Sequence, residues 1–198
     1  MSEGVRHAYA ARAVEYTEAL GSMDAVHAED RRLVADWAGR VSGPLLDAGC
    51  GPGHWTRFLA DLGADAAGVD QVPEFIEQAR RRFPGIRFDE GSLEALPAKD
   101  ASVGGVLAWY SLIHYGPDAL HIPLRECARV LKPGGTLLAG FFDGPTVEPF
   151  DHAVVTAFRW PVPELAAELR RAGFEVVETR QRTDVGHRPH GATLARRA

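Results

Sequence analysis

Three glycines at alternate positions behind a short apolar run most constrain what this chain can fold into. Leu45-Leu46 leads into Asp47-Ala48-Gly49-Cys50-Gly51-Pro52-Gly53-His54. Glycine lacks a Cβ, so the backbone at 49, 51 and 53 can take positive φ and approach a ligand closely, while a helix starting at His54 would present free N–H groups beside it. The stretch predicts a buried strand, a tight turn and a helix, arranged to hold a nucleotide-like ligand. Dinucleotide-binding turns read G-x-G-x-x-G, which from Gly49 requires glycine at position 54. His54 stands there instead.

The rest of the chain supplies the sheet that such a turn needs. Strand patterns at 45–48, 66–69, 86–88, 103–109 and 136–142 alternate with helical patterns at 54–62, 73–83 and 117–131, which predicts a parallel sheet covered on both faces. Pro73 sits where a helix accepts its missing N–H. Residues 5–40 read as two helices interrupted near Gly21-Ser22-Met23-Asp24. The tail reads as a helix over 164–172 ended by Gly173, then strands at 174–180 and 192–196. At 198 residues the chain is expected to form one domain, with 1–42 as an N-terminal helical cap. Residues 143–163, with four prolines and the aromatics Phe150, Phe158 and Trp160, are too apolar for a flexible linker and read as a lid or substrate-side insertion.

Composition narrows the partners. A net charge of −5 argues against general affinity for nucleic acid or anionic membranes. No apolar run approaches the ~20 residues of a bilayer span, and the first residues lack a secretion pattern, so a cytoplasmic protein is expected. Two cysteines give no disulfide framework, and the eight histidines show no metal-ligand spacing, so no metal is expected. Oligomeric state is left open.

The segment Asp47-Ala48-Gly49-Cys50-Gly51-Pro52-Gly53 resembles the first motif of the class I S-adenosylmethionine-dependent methyltransferases. Gly68-Val69-Asp70, the stretch Gly91-Ser92-Leu93-Glu94-Ala95-Leu96-Pro97, residues 103–114 and Arg129-Val130-Leu131-Lys132-Pro133-Gly134-Gly135 follow in the family's order. The resemblance implies a Rossmann-like, seven-stranded, mostly parallel sheet in the order 3-2-1-4-5-7-6 with strand 7 antiparallel. It also implies N-terminal helices over the cofactor site, S-adenosylmethionine as cofactor, and a small-molecule acceptor methylated on oxygen or nitrogen. The ubiquinone- and menaquinone-type enzymes are the most similar in look.

Site residues follow from that cofactor's zwitterion, diol and ring. Asp70, about 20 residues past the loop, is placed on the ribose, with an N-cap role for the Pro73 helix as the plain alternative. Gln71 and Val72 would lie under the adenine, with Ser92 and Leu93 at its edge, where many family members carry an acid in place of Ser92. Asp47 either faces the amino group of the methionine end or ties down the loop formed by Gly49, Cys50, Gly51 and Gly53. Cys50 reads as a space filler. Tyr9, Arg12 and Tyr16 fall on one helical face, where Arg12 either clamps the methionine carboxylate or is simply exposed. Trp109, Tyr110 and Ser111 sit against the reacting end of the cofactor and lack the Asn/Asp-Pro-Pro-Tyr element of nucleobase N-methylating enzymes. His114 is the candidate general base, with a structural role as its alternative. Trp160 is a substrate-packing candidate, and His187 and His190 share one loop as substrate-side candidates. Two rival readings stay open, an NAD-dependent oxidoreductase and an S-adenosylmethionine-binding protein without catalysis.

Overall fold

Buried hydrophobic side chains alternate between the two faces of the central strands, and this two-sided burial is what sandwiches the sheet between helices. The computed structural model describes residues 3–198. The strands β1 (Leu45–Ala48), β2 (Ala66–Asp70), β3 (Arg87–Glu90), β4 (Val103–Trp109) and β5 (Leu131–Phe142) lie parallel in the order β3-β2-β1-β4-β5. Along β4, Val106 and Ala108 join one core cluster and Leu107 the other, as the two-residue period of a strand dictates. Helices α6 (His121–Val130) and α7 (Val162–Arg171) bring Leu124, Cys127, Leu165 and Leu169 to the first cluster. Helices α3 (Ala28–Ala38) and α4 (His54–Asp61) bring Val34, Trp37, Trp55 and Leu59 to the second. α5 (Pro73–Arg82) starts on Pro73 as expected and packs Ile76 and Ala79 on Phe88 and Cys50. Each fully buried aliphatic side chain contributes roughly 1.5–3 kcal/mol.

Beyond β5 the sheet turns antiparallel. β9 (His190–Arg197) runs against β5 in a register that pairs Phe142 with His190, and β8 (Phe174–Arg182) runs against β9. The principal strands thus follow the expected order, with the last strand antiparallel. Two short strands, β6 (Glu148–Phe150) and β7 (Ala157–Arg159), raise the total to nine. They form a hairpin within 143–163 that meets β5 only at Phe142 and Arg159.

The N-terminus departs from the two predicted helices. α1 (Glu3–Ala11) and α2 (Ala13–Leu20) are separate, followed by a 3-10 turn (Met23–Ala25) and α3. The break lies at Arg12, whose N–H bonds back three residues to the Tyr9 carbonyl at 3.1 Å, tightening the last turn of α1. Among the described residues no helix is long and apolar enough to cross a membrane.

Candidate active site

The carboxyl end of β1 runs into a loop in which Gly49, Gly51 and Gly53 all have positive φ, at 81°, 51° and 82°. A Cβ on Gly49 would lie 2.2 Å from the Cβ of Ser111, so the loop rests directly on the exit of β4. A Cβ on Gly51 would meet nothing within 4 Å, and this residue faces the open cavity. Crowding therefore fixes one glycine, and clearance marks the other as the side a ligand approaches.

One acid braces this loop, and a second is held by the helix that follows it. Asp70 Oδ2 accepts the Gly51 N–H and Oδ1 the Val72 N–H, both at 2.9 Å. The N-cap of α5 is Val72, so Asp70 ties two loops together and does not cap the helix. Burial pushes its pKa up to about 6, against the lowering pull of the Val72 and Gly51 amides. Asp47 is fully buried, accepts the Thr56 hydroxyl at 2.7 Å, and is pushed by burial up to about 7. Cys50 is buried between Ile76 and Phe88, with burial raising its thiol, so it fills space there.

Around the loop lies a cavity of about 790 Å³, within the range of small-molecule sites. Tyr9, Tyr16, Asp47, Gly49, Cys50 and Gly51 line one end, and Trp109, Tyr110, His187 and His190 line the other. Although α1 and α2 are separate helices, the Tyr9 and Tyr16 rings still meet edge-on at 5.5 Å. Arg12 lies apart from them. Its guanidinium bonds the Ala153 carbonyl of the 143–163 segment and is about half exposed. Gln71 follows β2, Val72 is buried beside Phe75, and Leu93 points into the core. The Ser92 hydroxyl accepts the Glu94 N–H within its own turn. Ser111 is buried with its hydroxyl unpartnered.

The three candidate histidines separate by role, and His114 lies outside the cavity lining. His114 Nδ1 donates to the Thr156 carbonyl at 2.9 Å, which leaves Nε2 to accept the Tyr9 hydroxyl at 2.9 Å. Both ring nitrogens are thus engaged, and burial holds the imidazole below its usual pKa. His190 Nδ1 is bonded to the Tyr110 hydroxyl. His190 was expected on a loop with His187, and the β5–β9 pairing makes it the first residue of a strand. His187 remains on the turn before β9 and lines the cavity. Trp160 is turned into the core, its indole N–H donating to the Tyr115 carbonyl at 3.3 Å, away from the cavity. Tyr110 is held at a φ of 56°, rare for a side chain of its size, by its N–H bond to Gly140.

Several cavity residues had no sequence motif to announce them. Trp55, Phe142, His152 and Arg182 all line it. Phe142 ends β5 as Trp109 ends β4, and the rule that open α/β sheets bind ligands at strand carboxyl ends points to it. His54 also lines the cavity, pushed by burial down to about 4. Arg182 joins Asp30 through both terminal nitrogens and Asp184 through Nε at 2.8 Å.

Fold and loop together define a doubly wound nucleoside-binding domain. Residues 45–135 match the family model described as a methyltransferase domain. A probable S-adenosylmethionine-dependent methyltransferase of Mycolicibacterium smegmatis is 33% identical over 75% of this chain and 57% of its own length. A demethylmenaquinone methyltransferase of Renibacterium salmoninarum is 37% identical over 61% of this chain and 50% of its own. The chain thus spans little more than half the length of these curated relatives. The Burkholderia thailandensis 1,6-didemethyltoxoflavin-N1-methyltransferase, solved with S-adenosylhomocysteine bound, superposes with a TM-score of 0.79 at 23% identity, covering 98% of this chain and 88% of that one. Residues 45–135 belong to the class I S-adenosylmethionine-dependent methyltransferase family.

Proposed function

We propose that this protein binds S-adenosylmethionine on the glycine loop and methylates an oxygen or nitrogen of a small-molecule acceptor in the ring-lined end of the same cavity. The observation that carries this reading is the continuity of one cavity from Gly51 to His190. The clearance in front of Gly51, and the carboxylates of Asp47 and Asp70 beside it, fit a cationic cofactor with a ribose diol. Asp70 would receive the ribose hydroxyls on its remaining lone pairs. Tyr9, Tyr16 and Trp109 would frame the rest from the cavity wall, with Gln71, Val72, Ser92 and Ser111 outside its lining.

When bound, S-adenosylmethionine supplies a methyl group on a sulfonium, a leaving group that departs as a neutral thioether. The protein's part is then mainly to align the acceptor and keep water out, with proton removal as a smaller factor. Residues 143–163 serve as the cover. They are fixed by Arg12 to Ala153, His114 to Thr156 and the Phe158 N–H to Ile113 at 2.7 Å. His114 would remove an acceptor proton only through its bond to Tyr9. His190 Nε2 makes no hydrogen bond among the described residues and is the more available base.

Calorimetry with S-adenosylhomocysteine and with NADH tests the reading. The first should bind, stabilising the fold by about 2.7 kcal/mol at a hundredfold excess over Kd, and the second should not. A metabolite screen for gain of one methyl separates an enzyme from a binding protein. NADH binding in place of the adenosyl ligand would overturn the proposal.

A further inference from the structure

We infer that the acceptor end is built for a planar ring compound bearing a hydroxyl or ring N–H, held among Trp109, Tyr110, Phe142, His152 and His190. This inference names the acceptor class for the methyl-transfer reading and rests on it.

Five rings wall this end and come from four separate parts of the chain. Phe142 is their hub, with ring centroids 5.0 Å from Tyr110, 5.8 Å from His152 and 5.7 Å from His190. Trp109 meets Tyr110 edge-on at 5.7 Å, and Tyr110 meets His190 edge-on at 5.6 Å. Faces and edges set at such angles accept another flat ring better than a flexible aliphatic chain. The chain also tolerates a left-handed backbone at Tyr110 to keep that ring in the wall.

Charges of both signs lie beside these rings, so charge does not define the acceptor. Asp30 and Asp184 share the single guanidinium of Arg182 and leave one net negative charge. The Arg188 guanidinium lies 6.0 Å from the Phe142 ring and 5.1 Å from the Phe150 ring and donates to the Asp151 carbonyl. The polar handles that remain are neutral. His152 Nδ1 is buried without a partner, His190 Nε2 is unbonded, and burial depresses the pKa of both rings. Each offers one hydrogen-bonding nitrogen and no charge at neutral pH, which suits a phenol-like hydroxyl or a ring N–H.

The test is calorimetric titration at pH 7.5, with and without saturating S-adenosylhomocysteine, using 2-naphthol and 1-decanol. Both are neutral hydroxyl compounds, the first flat and the second flexible. The expected result is that 2-naphthol binds about tenfold or more tighter than 1-decanol. His152→Ala and Phe142→Leu should each weaken 2-naphthol by about three- to tenfold while S-adenosylhomocysteine affinity holds. Equal or tighter binding of 1-decanol would overturn the inference, as would 2-naphthol affinity indifferent to both variants. Failure of S-adenosylhomocysteine to bind would instead remove the methyl-transfer reading, and the titrations without it would still decide what the ring-lined end prefers.

Discussion

The loop end and the ring end of the cavity are assembled by different means. At the loop end, residues 47–53 are contiguous and Asp70 arrives from the adjacent strand, so a ligand meets a cradle of backbone braced by one carboxylate. At the ring end, β4, β5, the 143–163 segment and β9 each bring side chains, and the contacts run ring to ring. A backbone cradle is tied into the fold, because moving it moves the sheet. Side-chain walls can be exchanged one at a time while the scaffold stays. On the proposed reading, cofactor recognition falls where substitution is costly and acceptor choice where it is cheap.

The largest expected effect tests the rigidity of the cradle. Gly49→Ala forces a Cβ into the Ser111 side chain at a φ of 81°, combining a left-handed penalty of about 1–2 kcal/mol with overpacking of about 1–3 kcal/mol. Denaturant melts should show a loss of roughly 2–5 kcal/mol. Gly51→Ala meets open space, so it should lose only the backbone part, about 1–2 kcal/mol, while S-adenosylhomocysteine affinity suffers more than stability. Equal stability losses in the two variants would show that Ser111 yields and that the loop is not locked to β4.

Next in size is Asp70→Ala. Losing hydrogen bonds to a charged group costs about 1.5–3 kcal/mol, so S-adenosylhomocysteine binding should weaken by about 10- to 150-fold. Because Asp70 also holds the Gly51 and Val72 amides, the melting temperature should fall as well. A lower melting temperature with unchanged affinity would leave Asp70 as a brace alone.

The same contrast explains what the sequence discloses. The loop, Asp70 and the parallel strands are legible because each depends on local spacing: glycines where φ is positive, an acid at the end of the next strand, apolar runs of fixed period. The strand order follows only from the family resemblance. The ring end is not, because Phe142, His152 and His190 meet only through the β5–β9 register and the β6–β7 hairpin. His190 shows the limit well. Proline at 189 reads as loop, yet cross-strand pairing with Phe142 starts at the very next residue. The break at Arg12 is equally unannounced, since Tyr9-Ala10-Ala11-Arg12-Ala13 contains no helix breaker, and packing of Tyr9 and Tyr16 on Phe75 overrides propensity. Trp160 looks like a ligand-facing aromatic in a proline-rich segment, but the segment folds back and buries it.

A smaller effect comes from pH. In the free protein Asp70 is raised to about 6 and Asp47 to about 7, above the unfolded carboxylate value near 3.9. From about pH 4 to 7 the folded chain keeps protons that the unfolded chain has released, so these two groups lower stability as pH rises through that window. Ligand binding runs the other way, since ribose hydroxyls are accepted best by the ionised Asp70. Affinity for S-adenosylhomocysteine should rise about tenfold from pH 5 to 7, and Asp70→Asn should flatten the profile. A flat profile in the unaltered protein would mean that Asp70 is not the group the ligand senses.

The smallest expected effect separates the two ends most sharply, because it concerns a residue that sequence spacing assigns to the cofactor and the fold assigns to the cover. Arg12 sits at the junction of α1 and α2, half exposed, with its guanidinium on the Ala153 carbonyl and its Nε 3.6 Å from Glu15. An exposed ionic contact of this kind contributes at most about 1 kcal/mol, so Arg12→Ala should change S-adenosylhomocysteine affinity by less than about fivefold. Freeing one anchor of residues 143–163 should instead raise amide exchange in that segment, with the cradle's exchange unchanged. A tenfold or greater loss of ligand affinity would place Arg12 on the methionine carboxylate after all. That outcome would make the N-terminal helices part of the cradle, and the division between a backbone-built cofactor end and a side-chain-built acceptor end would have to be redrawn at Tyr9.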